Sequence, residues 1–122
     1  MSDDQARRGQ KMTEDLLKRK HSFTALVAFD DVTAFGAIRA LTKAGLRVPE
    51  DCSVIGFDDV PAASLLFPSL TTVRQPMEAM GSSAVTMLVD EMNAAMENRD
   101  FSAVYRTLAP QLIMRESTRV LH

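Results

Sequence analysis

Two acidic pairs carry most of the chemistry that this sequence offers. Asp30-Asp31 follows the apolar run 23–29 (FTALVAF), and Asp58-Asp59 follows the apolar run 53–57 (SVIGF). An ionised carboxylate only accepts hydrogen bonds, and it can take two at once from adjacent hydroxyls or ring N–H groups, so such a rim suits sugars and nucleobases better than anions. Open parallel sheets bind ligands just beyond the carboxyl ends of their strands. If the two runs are neighbouring strands, about 4.8 Å apart, Asp30 and Asp58 could face one bound molecule. A plainer use competes: Asp is a common helix N-cap, worth about 1 kcal/mol. Asp31 and Asp59 stand where each would cap a following helical turn, and Asp30 and Asp58 are open to either use.

As catalytic groups the carboxylates lack support. The only histidines, His21 and His122, lie near a helix end and at the terminus, away from the strand ends. A phosphoacceptor aspartate would need a lysine and a hydroxyl nearby, yet Lys43 falls at the far end of the intervening helix. Gly36, Gly45 and Gly81 form neither a dinucleotide fingerprint nor a phosphate loop. Cys52 precedes an apolar run and reads as a small core residue. The methionines between 77 and 96 recur at core spacing rather than as ligands. No catalytic residue, metal or cofactor is assigned.

The elements that must position the aspartates follow from periodicity. Residues 3–20 place Ala6, Gly9, Met12, Thr13, Leu16 and Leu17 at three-and-four spacing, an amphipathic helix. Run 23–29 reads as a strand covered on both faces, 31–44 as a helix closed by Gly45 in a left-handed C′ position, and 53–57 as a second, parallel strand. Pro61 and Pro68 confine 58–70 to a loop with one helical turn. A third strand is predicted over 71–75, and then a long helix beginning at Pro76 with the stripe Met77, Met80, Ala84, Leu88, Met92, Ala95, Met96. Residues 105–114 read as a last strand that Pro110 confines to an edge or a bulge. The fold class is α/β with a parallel sheet.

Composition bounds the function. The 122 residues suffice for one domain, and 46% apolar with 25% charged residues indicate a folded chain. Fourteen basic against sixteen acidic residues, net −2, give no field for phosphates or anionic lipid. Nucleic-acid binding by this segment alone and membrane association are therefore disfavoured. A lone cysteine and the lack of an apolar leader in 1–11 suggest a cytoplasmic protein.

Three segments in order, VAFDDVTAFGAIRAL, AGLRVPEDCSVIGFDDVP and PSLTTVRQP, closely resemble the effector-binding domain of LacI/GalR-type transcriptional regulators. The likeness runs from Gly9 to Arg115. It implies a periplasmic-binding-protein-like type I fold, here incomplete: two Rossmann-like lobes with the ligand between them, and a helix-turn-helix headpiece that this chain lacks. Residues 1–74 and about 103–115 would belong to the C-terminal lobe, and about 75–102 would return to the N-terminal lobe. DNA would be reached only through the absent headpiece. A sugar-binding protein of a transport system is the alternative, and its parent would need a signal peptide.

The resemblance also implies roles. Asp58 and Asp30 match ligand-contacting positions, and Gln75, beside the crossover, matches another. Relatives usually carry Asn at position 30, so Asp30 replaces a donor-and-acceptor by an acceptor alone. Asp4 stands where relatives carry an aromatic ring. The partners implied are a small-molecule effector, a sugar or a nucleobase-like molecule, and a second copy of the chain. A homodimer would pair through Phe35 and Ile38 of the second helix and Leu65, Leu66 and Phe67 of the following loop. Three successive large apolar residues in a loop cannot all be hidden, although Phe35 and Ile38 could equally pack on the sheet.

Overall fold

A computed structural model describes residues 3–122, which divide into two compact units: one runs to Arg74 and resumes over Leu112–His122, and the other is Gln75–Gln111. In the first unit, helix α1 (Asp3–Lys18) leads to strand β1 (Ala25–Val27), helix α2 (Asp31–Lys43) and strand β2 (Ser53–Ile55). A one-turn helix α3 (Ala62–Leu65) and strand β3 (Thr72–Arg74) follow. The second unit is built on helix α4 (Met77–Met96), and strand β4 (Gln111–Ile113) closes the order.

β1 and β2 pair in parallel, with Ala25 opposite Ser53 and Val27 opposite Ile55. A parallel bridge from Ile55 to Thr71 continues the ladder toward β3, which pairs with β4. The expected α/β parallel architecture is present. One face packs a core of Ala28, Ala34, Leu41, Cys52, Val54, Ala63 and Leu70, which places Cys52 inside as its neighbours predict. The other face is not covered: Val27 is 79% and Phe29 89% exposed. The continuous apolar run suggested burial on both sides, but no described residue shields those two. The strands are also shorter than the runs that encode them, and β4 begins only after Pro110, which cannot donate to a ladder.

Local chemistry sets the helix ends. The Gly45 N–H donates to Thr42 O and the Leu46 N–H to Leu41 O, with Gly45 at φ 80, a Schellman close that glycine adopts without strain. The expected helix of 31–44 thus ends where the sequence marks it. α1 crosses α2 with backbone against backbone: a Cβ on Gly36 would drive into the Ala6 carbonyl oxygen, and one on Gly9 into that of Thr33.

The carboxylate of Asp31, fully buried, ties three segments together. Thr72 Oγ donates to Oδ1 at 2.5 Å and the Val60 N–H to Oδ2 at 2.8 Å, while the Asp31 N–H donates to Phe57 O at 3.0 Å. The start of α2, the exit of β2 and β3 are thereby held at one point. Burial pushes the Asp31 carboxyl above its ordinary value; the Thr72 and Val60 donors oppose the rise, and the Asp58 and Asp59 charges add to it. A segment after β4 completes the stitching: Ser117 Oγ donates to Val54 O and accepts the Thr71 N–H.

Two outcomes follow. Gly36→Ala should destabilise the chain by at least about 1–3 kcal/mol, because the clash is with rigid backbone. Gly81→Ala, in open space on α4, should stabilise by about 0.5–1 kcal/mol; equal effects of the two in chemical denaturation would contradict the crossing. For Asp31, a raised folded pKa means that the stabilising contribution is complete below the unfolded value of 3.8 and is lost as pH rises through the folded value. Wild type should therefore lose stability relative to Asp31→Asn as pH climbs out of the ordinary aspartate range. Parallel stability profiles across that range would rule this out.

Candidate functional site

The carboxyl ends of β1 and β2 emerge side by side, joined by the Asp31 N–H to Phe57 O bond. Asp30 and Asp58 leave the sheet at this common edge. Asp30 is the N-cap of α2: its extended backbone (φ −148) turns Oδ1 to accept the Thr33 N–H at 2.7 Å. Its other oxygen accepts from Gln5 Nε2 of α1 at 3.1 Å, and the residue is only 8% exposed. The first aspartate of this pair caps, not the second. Asp31 sits inside the helix's first turn, where its carboxylate is drawn instead to Thr72 and Val60.

The second pair departs from expectation in another way. Asp59 caps nothing, because α3 starts after Pro61 with no side-chain cap. Its carboxylate is 8% exposed and divided between two guanidiniums, Arg74 Nε on Oδ2 at 2.6 Å and Arg115 Nη2 on Oδ1 at 2.7 Å. Burial alone would raise the Asp59 carboxyl, but the two arginines outweigh it and hold the group below the ordinary range. Asp58 is exposed at the rim, with its N–H donating to Val73 O at 2.9 Å. Both residues have positive φ, 116 for Asp58 and 57 for Asp59. The first lies outside the small left-handed well that Asp tolerates.

Gln75 begins the second unit, half-buried. Phe35 and Ile38 pack against the core cluster on one side, and on the other they line a groove with Leu66, Phe67 and Pro68. Packing on the sheet, one of the two uses weighed for these residues, is thus present. Leu65 and Phe67 are 81% and 92% exposed, and Leu66 is 46% exposed.

Sequence reasoning missed Gln5, Arg74 and Arg115. Gln5 was legible only as a polar position of an amphipathic helix. Arg115 lies far along the chain from Asp59, and no spacing rule links them. Among the described residues no three His, Cys, Asp or Glu side chains gather as a metal site, and no helix is long and apolar enough to cross a membrane.

Comparison with known proteins agrees with this fold. The family of periplasmic binding protein-like domains matches residues 1–118. The HTH-type transcriptional repressor PurR of Serratia proteamaculans is 42% identical over 109 residues, 89% of this chain and 31% of its own. PurR of Yersinia pestis is 39% identical over 115 residues, 94% of this chain and 33% of its own. The chain therefore spans about a third of the length of these curated relatives. A LacI family transcriptional regulator from Arthrobacter sp. FB24, solved in complex with lactose, superposes with a TM-score of 0.77 at 34% identity, over 93% of this chain and 41% of that one. The Lac repressor bound to ONPG gives a TM-score of 0.81 at 33% identity, over 93% and 33% of the two chains. The chain belongs to the periplasmic binding protein-like domain family, in the form found as the effector-binding domain of LacI/GalR-type transcriptional regulators.

Proposed function

We propose that this chain is the effector-sensing and dimerisation portion of a transcriptional repressor, binding a small molecule rich in hydrogen-bond donors between two lobes to control DNA binding by the intact protein. The observation that carries the ligand reading is Asp58, held exposed on a strained backbone at the carboxyl edge of the sheet. Strain at a strand end is stored where a side chain must point somewhere that relaxed backbone would not send it. Asp30 contributes differently from the simple rim. Its two oxygens serve Thr33 and Gln5, so its acceptor-only character is used to fix the start of α1 against the site. An Asn there would turn one N–H2 toward another donor. Asp30 and Gln75 are the other two proposed contacts, on the strength of the family resemblance.

The ligand class is a sugar first, in line with the lactose complex of the Arthrobacter relative, and a nucleobase second, since ring N–H groups suit a carboxylate equally well. Asp58→Asn in the intact regulator should weaken effector binding by about 1.5–3 kcal/mol and leave repression in place. Calorimetry with lactose and hypoxanthine as probes decides both points; unchanged affinity for whichever probe binds removes Asp58 from the pocket.

Dimerisation is proposed through the groove of Phe35, Ile38, Leu66 and Phe67 together with the exposed Leu65. Contiguous apolar surface of this kind marks a partner site, and a two-fold pairing would set the patch against its own copy. Leu66→Asp and Ile38→Arg should each shift the sedimenting mass from dimer to monomer. A wild-type chain already monomeric at micromolar concentration, or folded variants that remain dimeric, would refute the interface.

A further inference from the structure

The geometry points to Asp59, Arg115 and Arg74 as a positioning clamp that holds the Asp58 carboxylate at the ligand rim, with Arg115 governing effector affinity without touching the effector. This deepens the proposed function and rests on its reading of Asp58 as a ligand group.

Two consecutive non-glycine residues with positive φ are unfavourable unless their surroundings over-determine them. Asp58, at φ 116, is restrained through its backbone by its N–H, which donates to Val73 O. The Asp59 side chain supplies a second restraint. Each carboxylate oxygen meets a different guanidinium, so both the position and the plane of the group are fixed. A neighbour held so firmly leaves the peptide between Asp58 and Asp59 little freedom to relax.

The two arginines are not equivalent. Arg115 is 15% exposed and Arg74 52%. Arg115 is anchored three times over: its Nη1 donates to Leu70 O at 2.9 Å, its N–H to Thr71 Oγ at 2.9 Å, and its Nη2 meets Asp59. One planar fork serves the Leu70 carbonyl and the Asp59 carboxylate together, which a single lysine ammonium cannot reproduce. Arg74 is the last residue before the chain leaves the first unit, and Arg115 stands just inside the point of its return at Leu112. One carboxylate therefore ties the Asp58 loop to both connecting segments.

The test has two arms. In the first, amide hydrogen exchange is followed by NMR on the full chain. Arg115→Gln should speed exchange of the Asp58 N–H about tenfold or more, with the Ala28 and Leu46 amides unchanged. Arg115→Lys should behave nearly as Gln does, and Arg74→Gln should have a smaller effect. No change at Asp58, or equal acceleration over the whole chain, overturns the clamp. In the second arm, lactose and hypoxanthine are titrated into the intact regulator. Asp58→Asn and Arg115→Gln should both weaken binding. Weakening by Asp58→Asn alone overturns the role of Arg115. Unchanged binding in Asp58→Asn overturns the ligand assignment of Asp58, and with it the effector half of this proposal, while the exchange arm still reports on the clamp.

Discussion

A fully buried carboxylate, that of Asp31, is the constraint on which the strand-end geometry depends. Taking a charge out of water is costly unless donors replace the lost hydration. Here Thr72 and Val60 supply them, and the first turn of α2 adds its positive dipole end. Because the donors come from β3 and from the loop after β2, satisfying the carboxylate fixes three segments together. The parallel ladder brings β1 and β2 side by side; Asp31 then determines how the chain leaves them. Asp30 is placed to cap, and the loop that carries Asp58 turns back over the sheet edge.

How much of this could be read from the residues depends on the range of each interaction. Local signals were legible: Gly45 as a left-handed close, the apolar stripe of α1, and Cys52 as core all depend on neighbours within a turn or a strand. Assignment of aspartates within each pair was not. Capping preference favours Asp at the residue before a helix but cannot say which of two adjacent aspartates that will be, and α2 begins one residue earlier than the capping argument for Asp31 assumed. The fate of Asp31 was set by Thr72, and that of Asp59 by Arg74 and Arg115, all distant in sequence. Burial of β1 was misjudged for a related reason. An apolar run reports that both faces suit burial, whereas exposed Val27 and Phe29 show that the described residues cover only one.

The candidate site was legible mainly through resemblance. Composition and spacing located two acidic pairs at strand ends, and the rule for open parallel sheets made that edge the place to look. They did not separate the carboxylate exposed at the rim from those buried within the fold. Of the four, Asp30 caps a helix, Asp31 bridges the core and Asp59 is ion-paired, while Asp58 is exposed.

Crowding of these charges explains why two arginines are needed where one would form an ion pair. Asp58 and Asp59 both push the Asp31 carboxyl upward, because like charges nearby disfavour its ionised form. A single guanidinium on Asp59 would cancel one charge and leave the buried Asp31 facing the remainder. With Arg74 and Arg115 both present, Asp59 is held ionised despite its burial, and the local excess of negative charge is reduced around Asp58. The electrostatic and the structural roles of the arginines are then one arrangement: the contacts that fix the Asp59 side chain are the same ones that keep it ionised.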